Sequence, residues 1–353
     1  EDGIRDIGVT GVQTCALPIL TALDLETAWK RLQTNSEAKF KNYFRPHYRS
    51  WELGLPAHLD ALKADLLGGR YQPEASTKVW PAKPKGTLRC YSLLTVRDQI
   101  VYQALGDRVA EILRPHLIEH YEIEIFGNRL TKPDSPFAFE KWRDGYQAAL
   151  DAARAHHAAG HTWSTLMDLA GCYDVVDHGI VFSELEALGL EAGLVSLLGT
   201  CLHRWRADLP SPTGHVPRTG LPQGPQASAV LAEVLLRRLH DVDLGPDVRL
   251  VRYADDTHLF ARSRQALLSA MALLDVQIKR LGQVPQSGKL EVGELTDPLH
   301  NFSATSMQPA RSGSLTAEDY EASNREALRI LEKEKVEDGS RFKFVLEIGR
   351  AHV

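Results

Sequence analysis

Two apolar runs in this chain carry acids at their ends. Thr162–Leu169 has the composition of a buried strand and reaches Asp168 as it finishes. Val248–Tyr253 passes through Ala254-Asp255-Asp256 into Thr257–Ala261, which predicts a hairpin with two acids at its tip. Strands this apolar need covering layers, and long helix-periodic segments alternate with them. Helices are predicted over Leu20–Asn35, Leu55–Leu67, Thr95–Leu113, Phe137–Ala159, His178–Leu188, Leu194–Arg206, Gln226–His240 and Ser263–Leu281. Gly68-Gly69 stops the second of these. Thr95 stands as N-cap of the third, with Asp98 three residues on. Thr77–Trp80 and Leu88–Leu93 read as a small hairpin around Lys83-Pro-Lys-Gly86, and Gly288–Val292 as a short strand. Residues 120–136 and 207–224 read as loops, and 301–316 as a linker before a charged helix over Ala317–Val336. Strands interleaved with long helices mean an α+β or α/β protein.

The chain has 353 residues, room for about two domains or one large one with subdomains. Its 43% hydrophobic and 25% charged residues exclude a disordered or collagen-like chain. The four cysteines, Cys15, Cys90, Cys172 and Cys201, show neither paired spacing nor C-x-x-C. That pattern predicts a reducing compartment and argues against a disulfide framework or zinc module. No apolar run approaches the roughly 18 residues of a membrane span, and no basic start leads into an apolar stretch. A cytoplasmic location without membrane partners is expected.

A net charge of −5 rules out a uniformly basic nucleic-acid coat, so any polyanion site is local. Lys78, Lys83, Lys85, Arg89 and Arg97 follow one another with no acid between them. Residues 30–49 hold six basic side chains against Glu37 alone. The N-terminal third is therefore the expected polyphosphate face. The remaining histidines, such as His156 and His157, lack ligand spacing and are expected to face solvent. His178 and Asp174 are expected to cap the next helix or support its loop.

Both ends are set apart. Gly8–Ile19 has neither helix nor strand period, and Glu347–Val353 follows without cap logic. Both resemble the translation of a widely used DNA-sequencing adapter, so 1–19 and 347–353 are read as scars. A continuation beyond Leu346 in the natural protein is expected.

Carboxylates brought together at strand ends repel one another, and divalent cations offset that cost. Two hard cations roughly 3.5–4 Å apart, held by aspartates, are the working parts of nucleotidyl transfer. The order of motifs strengthens this reading. Asp168-Leu-Ala-Gly-Cys-Tyr-Asp-Val-Val-Asp-His178 is followed by Gly220-Leu-Pro-Gln-Gly-Pro-Gln-Ala-Ser228 and Arg252-Tyr-Ala-Asp-Asp256. Upstream stand Lys83-Pro-Lys-Gly-Thr-Leu-Arg89 and Thr95-Val-Arg-Asp-Gln-Ile-Val101. Downstream stands Leu281-Gly-Gln-Val-Pro-Gln-Ser-Gly-Lys289. Over residues 40–295 this succession resembles the fingers and palm motifs of reverse transcriptases.

The resemblance implies an α+β fold of right-hand polymerase type, with an antiparallel palm sheet packed on helices. Residues 20–160 would form N-terminal helices and fingers, and 161–300 the palm. Residues 301–346 would be a linker and partial helix in place of a thumb. It implies RNA-directed DNA polymerase activity with two Mg²⁺, for which Mn²⁺ substitutes. Asp168, Asp255 and Asp256 would be the metal ligands, with the carbonyl of Leu169. Lys289 would be a general acid for pyrophosphate. Lys83, Arg89, Tyr173, Gln223 and Gly224 would bind the nucleotide, with Tyr173 as the gate against a ribose 2′-hydroxyl. The implied partners are an RNA template, a DNA or RNA primer and dNTPs, with a cognate noncoding RNA or defence protein in addition.

Arg89 is followed by Cys90-Tyr91 where the family usually continues Pro-Leu, and Gly224 by Pro225. The Gly-Pro and Ala-Glu-rich stretch Gly224–Glu233 resembles bacterial retron-like, abortive-infection and phage-defence enzymes more than retroviral ones. Three alternatives remain open at this stage. They are a template-independent DNA-synthesising defence polymerase, a catalytically silent nucleic-acid-sensing module, and another palm-fold enzyme such as a nucleotide cyclase or RNA polymerase.

Overall fold

A computed structural model describes residues 23–34, 41–79, 90–206, 218–287, 290–300 and 302. Three helices open the described chain: α1 (Leu25–Thr34), α2 (Lys41–Leu53) and α3 (Leu55–Leu67). Asp24 starts α1 by accepting the Thr27 amide at 2.9 Å. β1 (Thr77–Val79) and β2 (Tyr91–Leu93) pair antiparallel, Thr77 opposite Leu93. The expected connection between them lies outside the described residues.

Helix α4 (Val96–Leu113) is the axis of the molecule. Thr95 caps it by accepting the Asp98 amide at 3.2 Å, as its sequence predicts. Ile100, Val101, Tyr102, Ala104, Leu105, Val109 and Leu113 are all buried. The helix is wrapped on every side. Next come α5 (Trp142–Ala158), β3 (Trp163–Met167), the single turn α6 (Cys172–Val175), α7 (His178–Ala187) and α8 (Ala192–Arg206). The apolar α9 (Gln226–Leu236) packs on α4 and continues as a short 3₁₀ turn, Arg237–Leu239, so the helix expected to reach His240 ends four residues early. β4 (Val248–Tyr253), β5 (Asp256–Ala261), α10 (Arg264–Arg280) and β6 (Gly293–Glu294) complete the described elements.

The main sheet runs β4-β5-β3-β6 with every pairing antiparallel. Leu250 and Leu259 face the large core shared with α9 and α10. Val251 and Phe260 face the other way, onto Ala149, Leu150 and Ala153 of α5. The sheet is thus buried on both faces, as its apolar strands require. This is the expected α+β architecture, an antiparallel sheet packed on helices.

Three expectations change. The helix predicted from Phe137 begins at Trp142, because residues 138–140 pair back onto 129–131. Thr131 N donates to Ala138 O (3.2 Å) and Glu140 N to Arg129 O (2.8 Å). Residues 290–292 are not extended into a strand; the edge strand is Gly293–Glu294 instead. His156 and His157 are half-buried, with His156 against His161 and Phe260 and His157 Nε2 2.8 Å from Leu295 O. The expected scars, the charged helix and the partial thumb lie outside the described residues.

Candidate active site

The register of the sheet brings the acids together. Met167 of β3 lies opposite Thr257 of β5. One step beyond that rung, Asp168 leaves β3 and Asp256 opens β5. Tyr253 pairs with Asp256, which leaves Ala254 and Asp255 as a two-residue hairpin turn. Asp168, Asp255 and Asp256 line the same cleft, a space of about 1320 Å³. Leu169, Tyr173, Gln223 and Gly224 line it too. Seven of the expected site residues therefore converge; Lys83, Arg89 and Lys289 lie outside the described residues.

The loop after β3 is held on its far side by the segment after α10. Ala170 N donates to Val284 O and Gln286 N to Asp168 O, both at 2.8 Å. Gly171 has a left-handed backbone (φ 62°) and starts α6, which carries Tyr173 and Asp174. Asp177 caps α7 by accepting the Ile180 amide at 3.0 Å. Of the two expected roles for His178 and Asp174, capping the helix or supporting the loop, both residues take the second. His178 Nε2 lies 2.8 Å from Gly220 O, and Asp174 accepts from Gln223 Nε2 at 3.0 Å. Gln223 also takes the Ser92 amide on its carbonyl (3.1 Å), tying this loop to β2. Gly224, at φ 122°, occupies a conformation that a side chain would strain.

The electrostatics of the cleft are acidic. Burial, reinforced by the charges of Asp255 and Asp168, pushes the Cys172 thiol far up. Burial and Asp255 do the same to the Tyr173 hydroxyl. The acids that converge on the cleft, Asp168, Asp255 and Asp256, offer carboxylate oxygens, a donor set that fits hard cations such as Mg²⁺ or Mn²⁺. Tyr173 is half-buried, packed on the core with one side in the cleft.

The turn itself is strained and braced. Ala254 has φ 55°, a left-handed conformation that costs a non-glycine residue about 1–2 kcal/mol. Arg252 Nη1 donates to Ala254 O at 2.9 Å, and the same guanidinium forks onto Glu233 of α9 (3.0 and 2.7 Å). Both side chains of this pair are completely buried. Residues 124–126 run along the β4 edge, Arg252 N donating to Glu124 O and Phe126 N to Arg252 O.

These bracing residues escaped the sequence reading. So did the meeting of His120, Glu124 and His240, whose ligand atoms lie within 4.8 Å of one another. The His120/Glu124 spacing of four residues was the available signal; His240 joins from 116 residues further on.

The family model for reverse transcriptase (RNA-dependent DNA polymerase) matches residues 81–300. A Saccharomyces cerevisiae protein named for COX1/OXI3 intron 1 is 26% identical over 179 residues, 51% of this chain and 19% of that protein. The chain thus spans about a fifth of that relative. Among solved structures, the Candida albicans telomerase with a TWJ fragment of telomeric RNA has a TM-score of 0.44 at 14% identity. It covers 65% of this chain and 43% of its own. The Candida tropicalis telomerase with such a fragment has a TM-score of 0.47 at 10% identity, covering 78% and 53%. The family match takes in more than half of the chain and every acid of the cleft, and the chain belongs to the reverse transcriptase (RNA-dependent DNA polymerase) family.

Proposed function

We propose that this chain is an RNA-directed DNA polymerase that adds deoxynucleotides to a primer 3′-hydroxyl. The observation that carries the reading is the rung between Met167 and Thr257, which sets Asp168 beside the Asp255-Asp256 turn at one end of the sheet. Asp168 and Asp255, with the carbonyl of Leu169, hold two Mg²⁺, and Asp256 is the supporting carboxylate. The ions, when bound, acidify the attacking hydroxyl and neutralise charge on the leaving pyrophosphate.

The chain's own groups do the rest. The Tyr173 ring stands in the cleft wall where it excludes a 2′-hydroxyl. Gln223 is oriented by Asp174, and Gly224 lets the backbone approach the incoming nucleotide. Lys83 and Arg89 bind the triphosphate, Arg89 through its forked donors. Lys289 delivers the proton to pyrophosphate. The RNA–DNA hybrid is gripped through its backbone, as A-form duplexes are.

Primer extension on an RNA template with each nucleotide set tests this. Incorporation of dNTPs and not rNTPs in Mg²⁺ is expected, and it should need template. Extension without template would mark a template-independent polymerase. No incorporation in Mg²⁺ or Mn²⁺, with nucleic acid still bound, would mark a silent sensing module. Within the family, the Gly224-Pro225 motif favours the bacterial retron-like and phage-defence branch, working in the cytoplasm with a cognate noncoding RNA or a defence protein. Cys172 and Cys201 are buried as free thiols, which suits a reducing compartment. Among the described residues no helix is long and apolar enough to cross a membrane. The likeness to the yeast intron protein favours a second reading, with intron RNA as template. Sequencing the RNA that copurifies separates the two.

A further inference from the structure

The sheet buries a polar chain that leads to the catalytic turn. It starts at Glu124, whose Oε2 lies 2.8 Å from His240 Nδ1 and 3.0 Å from His120 Nδ1. It passes through the His240 ring, where Nε2 receives the Arg252 Nε hydrogen bond at 2.9 Å. It ends where Arg252 Nη1 meets Ala254 O. Arginine has donors only, so His240 Nε2 must be the unprotonated nitrogen and Nδ1 must carry the hydrogen. That tautomer decides between two uses of the cluster. A cation shared by His120, Glu124 and His240 would need a lone pair on Nδ1 as well, making the ring an imidazolate beside an arginine. The cluster is a hydrogen-bond relay, with Nδ1–H donating to the Glu124 carboxylate.

We infer that Glu124 and His240 are positioning residues that act through Arg252 to fix the peptide preceding Asp255. The carbonyl of Ala254 belongs to that peptide, so pinning it sets the plane from which the Asp255 side chain projects. Glu233 anchors the guanidinium from one side by its fork, and His240 from another. Three directions of restraint leave the Arg252 head group no rotation. The local charges agree. Burial would raise the Glu124 carboxyl, but hydrogen bonds from His240 and His120 bring it below its ordinary range. Burial and the charge of Arg252 hold His240 down to about 4, neutral and able to accept.

The inference rests on the proposed function for what Asp255 holds, and its test has one readout independent of activity. Mn²⁺ binding to the full chain, followed by electron paramagnetic resonance, is compared for the wild type, His240→Leu, His240→Gln and Glu124→Ala. Leucine removes the acceptor, and metal affinity is expected to fall about tenfold, the scale seen when a group orienting a ligand is lost. Glutamine can accept from Arg252 and donate to Glu124, and affinity should stay within about twofold of wild type. Glu124 is half-exposed, so Glu124→Ala carries the test should His240→Leu fail to fold, and it should shift affinity the same way. Wild-type Mn²⁺ affinity in the acceptor-less variant overturns the inference, as does a glutamine variant as weak as the leucine one. In primer extension, kcat should fall for His240→Leu with KM for dNTP unchanged. A wild type that incorporates nothing while the Mn²⁺ series behaves as expected sinks the polymerase reading alone.

Discussion

Gly127 lies against the backbone of Ala254 so closely that a Cβ added to it would stand 2.4 Å from the Ala254 nitrogen. The atoms it would meet belong to the main chain of the Tyr253–Asp256 turn, which has no side-chain rotation with which to yield. The glycine is needed here for space. Gly127→Ala should therefore displace the Tyr253–Ala254 peptide or the segment that carries Gly127. A loss of about 1–3 kcal/mol is expected, the usual cost of overpacking. Urea unfolding of the two proteins measures it, and equal midpoints would contradict the geometry.

Asp255→Asn keeps the size of the side chain and removes its charge. With one of the proposed metal ligands neutralised, incorporation should drop at least about 10²-fold, since cations contribute several kcal/mol to such reactions. The turn is braced through the backbone and Arg252, so circular dichroism and the melting temperature should stay close to wild type. Near-wild-type primer extension by this variant would remove Asp255 from the proposed site.

What could be read in advance follows from how local each cause was. Helix α4 was legible because Thr95 caps it and its apolar positions repeat at helical spacing. The β4–β5 hairpin was legible because two apolar runs flank a two-residue acidic turn. The segment 137–141 departs from its helical spacing because residues 138 and 140 bond to backbone groups at 129 and 131, which no periodicity reveals. An aspartate before a helix start is the usual cap signal, and Asp177 carries it for α7. The Arg252–Glu233 pair spans 19 residues and two elements. Its members look like ordinary surface charges until β4 turns Arg252 to the face that carries Leu250.

Tyr173→Ala should open the cleft beside the sugar of the incoming nucleotide. Discrimination against rNTPs is expected to weaken by an order of magnitude or more, since about 1.4 kcal/mol of steric exclusion already amounts to tenfold. Part of the ring packs on the core, so a modest fall in stability should accompany the change. The ratio of kcat/KM for dNTP and rNTP on one primer–template measures the effect. An unchanged ratio would assign Tyr173 to packing alone.

His258 gives the chain an acid sensitivity separate from the site. It is buried on β5, stacked on Phe302 with ring centroids 4.0 Å apart. Burial pulls it from 6.5 to about 3. Between those values the unfolded chain holds the proton and the folded chain does not. Stability therefore rises with pH across this window and is lost as pH falls below about 6.5. At pH 5, roughly 1.5 units into the window, the loss from this one group is about 2 kcal/mol. His258→Phe keeps an aromatic ring against Phe302 and has no proton to bind. Its stability should fall less between pH 7 and pH 5 than the wild type's, by about that amount. His240 shares the same direction of shift but is present in both proteins, so its contribution cancels in the comparison. Urea unfolding at the two pH values gives the four free energies, and identical pH dependence in both proteins would mean that His258 takes up its proton without unfolding the sheet.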